Sequence, residues 1–165
     1  MAAELVLVAD AITTELAAAQ QGGQFVGLDE FTPERSYADW ATDIEELPGL
    51  RVDVVPVGYE ENALETRGTV EYVCTSDIAV RQWFPQSQRE TNGRIKLPAI
   101  DRLIEFVQEL NEFFCKENGR RLPAYPSAVW QKNNIRFTYS RKHLARHKLF
   151  VGMVRVGYTV CKSLT

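Results

Sequence analysis

Residues 128–160 read AVWQKNNIRFTYSRKHLARHKLFVGMVRVGYTV. From Ala128 to Ser140 the apolar residues Ile135, Phe137 and Tyr139 alternate with polar ones, and from Leu149 to Val160 the residues Phe150, Val154, Val156, Tyr158 and Val160 keep the same two-residue period. Strands separated by so few residues are expected to pair antiparallel, which gives a long C-terminal β-hairpin. At about 3.3 Å per residue the last run reaches about 40 Å, beyond the ~17–20 Å of an ordinary strand, so the hairpin is expected to project from the body of the domain. The connection holds Arg141, Lys142, His143, Arg146, His147 and Lys148, the sharpest basic cluster of the chain.

The preceding residues supply the rest of the domain. Residues 3–20 place Leu5, Val8, Ile12 and Leu16 at spacings of three and four, the period of an amphipathic helix, and Gln21-Gly22-Gly23 ends it. Phe25 to Trp40 is aromatic but contains Pro33, so it reads as extended chain or edge strand. Pro48-Gly49 marks a turn into a strand from Arg51 to Val57, and Arg67 to Trp83 forms a second strand with a bulge or bend expected at Ser76-Asp77. Phe84 to Leu97 is polar and reads as a surface loop, with Arg89, Arg94 and Lys96 available to a partner. Pro98 opens a helix whose stripe of Ile100, Leu103, Ile104, Val107, Leu110 and Phe114 runs to about Asn118, with Gly119 just past its end. Helix, strands, helix, strands is the order of an α+β domain: a mostly antiparallel sheet with two main helices packed on one face. No internal repeat or low-complexity tract interrupts residues 1–165, which are expected to form one domain.

The chain has 165 residues, 45% hydrophobic and 25% charged, so it belongs with ordinary globular domains and not with disordered or disulfide-scaffold chains. A chain of this length buries roughly 70% of its unfolded surface and needs no metal staple. Its apolar runs fall far short of the ~20 residues that span a bilayer, and the opening MAAELVLVADAITTEL carries acids where a signal peptide needs bases. The protein is expected to stay in a reducing cytoplasm, without membrane attachment. Cys74, Cys115 and Cys161 are an odd set flanked by apolar residues and read as buried thiols.

Charge is divided unevenly. Residues 1–75 hold 15 acidic and 3 basic side chains, and residues 76–165 hold 7 and 16. If the halves occupy different surfaces, the acidic face of one copy attracts the basic face of another and favours head-to-tail association; if the fold interleaves them, the dipole cancels. Nucleic-acid phosphate or an acidic protein surface would suit the basic connection, and a solvated loop is the plain alternative.

Catalytic signatures are missing. His143 and His147 share the spacing of a zinc-binding pair, but Leu-Ala-Arg between them offers no general base and no third histidine exists. The chain contains no GxSxG, GxxxxGK[ST] or GxGxxG loop. Asp29-Glu30, Glu45-Glu46 and Glu60-Glu61 read as solvated surface charge, because neighbours on a strand point apart. No catalytic residue, cofactor or metal is therefore expected.

Five blocks occur in a fixed order: FTPERSYADW, EELPGLRVDVVPVGYE, RGTVEYVCTSDIAVRQWF, IDRLIEFVQELNEFF and YPSAVWQKNNIRFTYSRKHLARHKLFVGMVRVGYTV. This series, from Phe25 to Val160, resembles the tail terminator (tail completion) proteins of tailed bacteriophages; LRVDVVPV, SDIAVR and the final strand pair carry most of the likeness. The resemblance implies a virion structural protein, assembled in the host cytoplasm, that forms a hexameric ring at the head-proximal end of the tail tube. It would stop tube growth and dock to the head-tail connector, or neck, proteins. Its partners would be copies of itself, the tail tube protein and the connector, with DNA passing through the channel without specific binding. Phosphate contacts would retard that passage, so Arg141, Lys142, Arg146 and Lys148 are expected to face protein and not the lumen. A head-side stopper or adaptor, a tube subunit, and more remotely a nucleic-acid-binding accessory protein are the competing readings.

Overall fold

The computed structural model describes residues 3–37, 49–63, 68–116 and 120–164. Trp40, Glu45-Glu46, Pro48, Arg67, Asn118 and Gly119, named above, lie outside the described residues. The elements are α1 (Glu4–Gln21), β1 (Glu34–Arg35), β2 (Leu50–Ala63), β3 (Thr69–Trp83), α2 (Leu97–Cys115), β4 (Ala128–Phe137), α3 (Arg141–His147) and β5 (Leu149–Ser163). The fold is α+β. Its five-stranded sheet has the order β1-β2-β3-β5-β4, antiparallel except for the short parallel pairing of β1 with β2.

β5 lies inside the sheet, between β3 and β4. It pairs with β3 from Thr69↔Ser163 to Trp83↔Leu149, so its length is matched residue for residue by its neighbour. Even-numbered residues of β3 and β5, with Val52 and Val54 of β2, turn to a core shared with α1 and α2. Val8, Ile12 and Leu16 of α1 and Leu103, Phe106, Val107, Leu110 and Phe114 of α2 enter the same core. Each side chain of this size, fully buried, contributes about 1.5–3 kcal/mol. The chain leaving α1 is held by aromatic edges: Phe25 lies 5.2 Å from Phe106 and 5.9 Å from Phe113, ring centre to ring centre.

Several boundaries differ from the sequence reading. β2 runs on past Val57, its expected end, as far as Ala63, because a bulge absorbs the residue between Pro56 and Gly58. Proline has no N–H for the ladder, and the extra residue lets the strand resume. The expected bulge at Ser76-Asp77 is absent; those residues continue β3 regularly, and the irregularity belongs to the facing strand. Only Glu34–Arg35 of the Phe25–Tyr37 stretch is strand. α2 ends at Cys115, three residues short of the expectation. Cys74 is buried, but Cys115 and Cys161 are exposed, a correction to the reading of three buried thiols. Apolar neighbours in sequence do not bury a residue that ends a helix or lies near the end of a strand.

One polar cluster ties α1 to the end of β5. Glu4 accepts hydrogen bonds from Lys162 Nζ at 2.8 Å and from the Tyr125 hydroxyl. The Lys162 bond first, then the Tyr125 bond, hold the Glu4 carboxyl below its ordinary value, and the bond to Glu4 raises Lys162. The depressed carboxyl gives stability that is complete above its unfolded value and is lost as pH falls through the folded one; the raised ammonium gives stability complete below its own unfolded value and lost in alkali. The cluster therefore holds across the neutral range. Glu4→Gln is expected to lower the urea midpoint at about pH 7, and the difference from the wild type is expected to shrink as the pH falls below the ordinary carboxylate range. A difference that stays constant with pH would mean that Glu4 carries no such linkage.

Candidate functional site

The basic connection is a helix and not an open loop. Ser140 starts α3: its Oγ accepts the His143 backbone N–H at 3.5 Å and shares a 2.7 Å hydrogen bond with His143 Nδ1. Leu144, with Ala145 the only apolar pair in the run, packs on the core, so the short helix is anchored by one side chain and exposes its charges. Burial first, then His147 and Lys142, hold the His143 imidazole below its ordinary value. His147 lies 6.3 Å from it, ring centre to ring centre, with Arg146 and Lys142 exposed nearby.

The sheet register brings the two predicted basic segments together. Trp83 faces Leu149, and the next residue, Phe84, donates its N–H to the Lys148 carbonyl at 2.9 Å. The segment after β3 therefore starts where α3 ends. Arg94, Arg141 and Lys148 rim one cleft of about 320 Å³, whose apolar lining is Ile95, Ile100, Leu144 and Ala145, with Tyr139 at its side. Among the described residues, no ion pair to a carboxylate involves these three cations.

The other candidates fall elsewhere. Arg89 sends Nε and a terminal nitrogen to the Phe84 carbonyl at 3.0 and 2.8 Å, so it braces the loop. Lys96 is exposed at the cap of α2 and does not line the cleft; Lys142, His143, Arg146 and His147 do not line it either. Tyr139, Ile95 and Ile100 carry no sign in the sequence that they share a site. The one available signal is Leu144, the large apolar residue in a basic run, which marks a half-buried anchor.

Lys148 sits at φ 52°, ψ 35°, left-handed, at the C-terminus of α3. It is the one non-glycine residue with positive φ among the described residues. A side chain there costs about 1–2 kcal/mol that glycine avoids, against about 0.5–1 kcal/mol for glycine's greater chain entropy. Lys148→Gly is therefore expected to stabilise by about 0.5 kcal/mol, read as a small rise in the denaturant midpoint, while removing one rim charge. A loss of more than about 1 kcal/mol would show that the lysine side chain holds the turn.

The acidic counterpart lies on β2 from its bulge onward, away from the cleft. Val57 and Tyr59 are 48% and 57% exposed, Glu60 and Glu61 are exposed, and Tyr59 stands 6.0 Å from Tyr72, ring centre to ring centre. Glu61 faces Tyr72, eleven residues along β3 from Trp83, which is about 35 Å at ~3.3 Å per residue. Interleaving does cancel charge across the sheet: Arg155 grips Asp77 with bonds of 2.8 and 2.9 Å, and Arg81 pairs with Asp53. Arg94, Arg141 and Lys148 on one side and Glu60 and Glu61 on the other take part in no ion pair among the described residues. Compared with models of known protein families and with curated proteins, the chain matches none.

Proposed function

We propose that the protein is a tail terminator of a tailed bacteriophage: a structural subunit that forms a ring at the head-proximal end of the tail tube, stops its growth and presents a surface to the connector. The ordered blocks of sequence suggest the family. The structural observation that supports a ring subunit is one sheet with a cationic cleft at one end and an acidic, part-apolar segment in its other half, since a ring needs two different and complementary surfaces. In this reading the two longer helices cover one face of the sheet, the C-terminal strand pair lies near the channel, and six copies close the ring. Catalysis plays no part in it.

The rim cations face protein in this arrangement, so that DNA moves through the channel unretarded. The test is localisation with a tagged copy, viewed by electron microscopy on intact particles and on separated tails. Label at the head-proximal end of separated tails is expected. Label on tail-less heads would replace the reading with a stopper or adaptor, and label along the whole tail with a tube subunit.

A second reading, a nucleic-acid-binding accessory protein, draws on the three rim cations that no described carboxylate pairs. It requires DNA affinity that falls steeply with salt, and a DNA titration at two salt concentrations decides it.

A further inference from the structure

We propose that the cleft rimmed by Arg94, Arg141 and Lys148 receives the segment Val57–Glu61 of a second copy of this chain. The inference deepens the ring reading and rests on it only for closure into a ring; the contact itself follows from the two surfaces.

Three features argue for that occupant. The cleft joins an apolar floor to a cationic rim, so its complement carries an apolar side chain beside a carboxylate; a bare phosphate would leave the half-buried Ile100 and Leu144 uncovered. Val57-Gly58-Tyr59-Glu60-Glu61 has that composition, with both large apolar residues about half exposed. β1 pairs only with Asp53 and Val54, so no described strand covers the outer edge of β2 beside this segment. The cleft volume of about 320 Å³ is near the lower end of binding clefts, room for one or two side chains and not for a folded element.

The segment runs from the bulge opposite Ser76 and Thr75 to Glu61 opposite Tyr72, which places it about 25–35 Å along the sheet from the cleft end, too far to meet the cleft within a chain. One copy's segment therefore meets another copy's cleft, and each copy keeps a free cleft and a free segment for the next. That is a heterologous contact, which closes into a ring or continues as a stack according to the rotation between copies. Exposed carboxylates opposite guanidinium groups also make the contact sensitive to salt.

Charge exchange tests it. Two double variants are made at exposed positions, Arg94→Glu with Arg141→Glu and Glu60→Lys with Glu61→Lys, and folding is checked by thermal melts. Sedimentation velocity is run over a wide concentration range at about 20 mM and about 0.5 M salt. The wild-type chain is expected to self-associate at low salt and to weaken at high salt. Each double variant alone should associate at least about tenfold more weakly, because its own two surfaces now repel.

The equimolar mixture should recover association, since each variant's cleft then meets the other's segment with opposite charge. A mixture that stays as weak as its components, double variants that associate as well as wild type, or a wild-type chain that remains monomeric throughout would each overturn the contact. Failure here and failure of the terminator reading are separable. A monomeric chain that still labels tail ends removes only the contact, and a salt-sensitive oligomer absent from particles removes only the terminator.

Discussion

Replacing Asp53 by alanine is expected to destabilise the protein by about 3–5 kcal/mol, the usual penalty for removing one partner of a buried ion pair. Asp53 and Arg81 stand diagonally on β2 and β3, Asp53 opposite Ala79 and Arg81 opposite Arg51, with side chains 3% and 5% exposed. Asp53 Oδ2 accepts a hydrogen bond from Arg81, and Arg51 approaches Asp53 Oδ1 at 3.8 Å. The loss of the carboxylate leaves a guanidinium in a buried site without its closest compensating charge, and the cost is desolvation that attraction no longer offsets. Exchanging both residues, Asp53→Leu with Arg81→Met, is expected to cost much less than the sum of the single changes. Denaturant titration of the double-mutant cycle measures the coupling. A single-variant loss below about 1 kcal/mol would show that water reaches the pair and that it behaves as a surface bridge.

That pair also shows where sequence reading stops. The periodicities of α2 and of β3 and β5 are legible because one face of each element is mostly apolar, and apolar burial has no competing explanation there. Asp53 in LRVDVVPV and Arg81 in SDIAVRQW occupy the alternate positions, which in an antiparallel sheet with one solvated face read as solvent-exposed. Their burial depends on neighbours across the sheet, and no local pattern encodes those. The far half of β2 is illegible for a related reason: Pro56 and Gly58 are strand breakers by propensity, and tertiary pairing with β3 overrides them through a bulge.

The cleft is half legible. Charge and polarity alone mark Arg94, Arg141 and Lys148 as partner-facing, but nothing in either segment says that they meet. The meeting follows from the Trp83↔Leu149 register, which places the residues after β3 beside those before β5. Register is fixed by the whole apolar set of both strands, and a slip of one residue would turn each of those sets to the wrong face. The charge division is legible as a sum and not as a shape, because which acids and bases pair, as Asp53 with Arg81, Asp77 with Arg155 and Glu4 with Lys162 do, depends on neighbours brought together by the fold.

Gly152→Ala is expected to destabilise by about 2–3 kcal/mol, the upper range for overpacking, and to disturb the cleft as well. A Cβ at residue 152 would stand 2.6 Å from Val107 Cγ2, 2.8 Å from the Thr138 carbonyl oxygen and 3.2 Å from Phe150. Val107 belongs to α2 and is fully buried, so the methyl group has no open direction. Moving Val107 requires α2 to lift from the sheet; moving Thr138 requires the backbone between β4 and α3 to shift. The second route reaches the cleft, because Ser140 donates its N–H to the Val151 carbonyl at 3.0 Å and Ser140 also caps α3. Val107→Ala opens space on the α2 side only. The double variant Val107→Ala with Gly152→Ala should therefore lose less stability than the two single losses together, while the contact with the Thr138 carbonyl persists. Denaturant titration gives the coupling, and amide hydrogen exchange of residues 138–148 reports the shift: faster exchange in both Gly152 variants is expected, with Val107→Ala alone near wild type. Unchanged exchange in that segment with full loss of stability would assign the whole strain to α2, and the glycine would then serve helix packing without positioning the cleft.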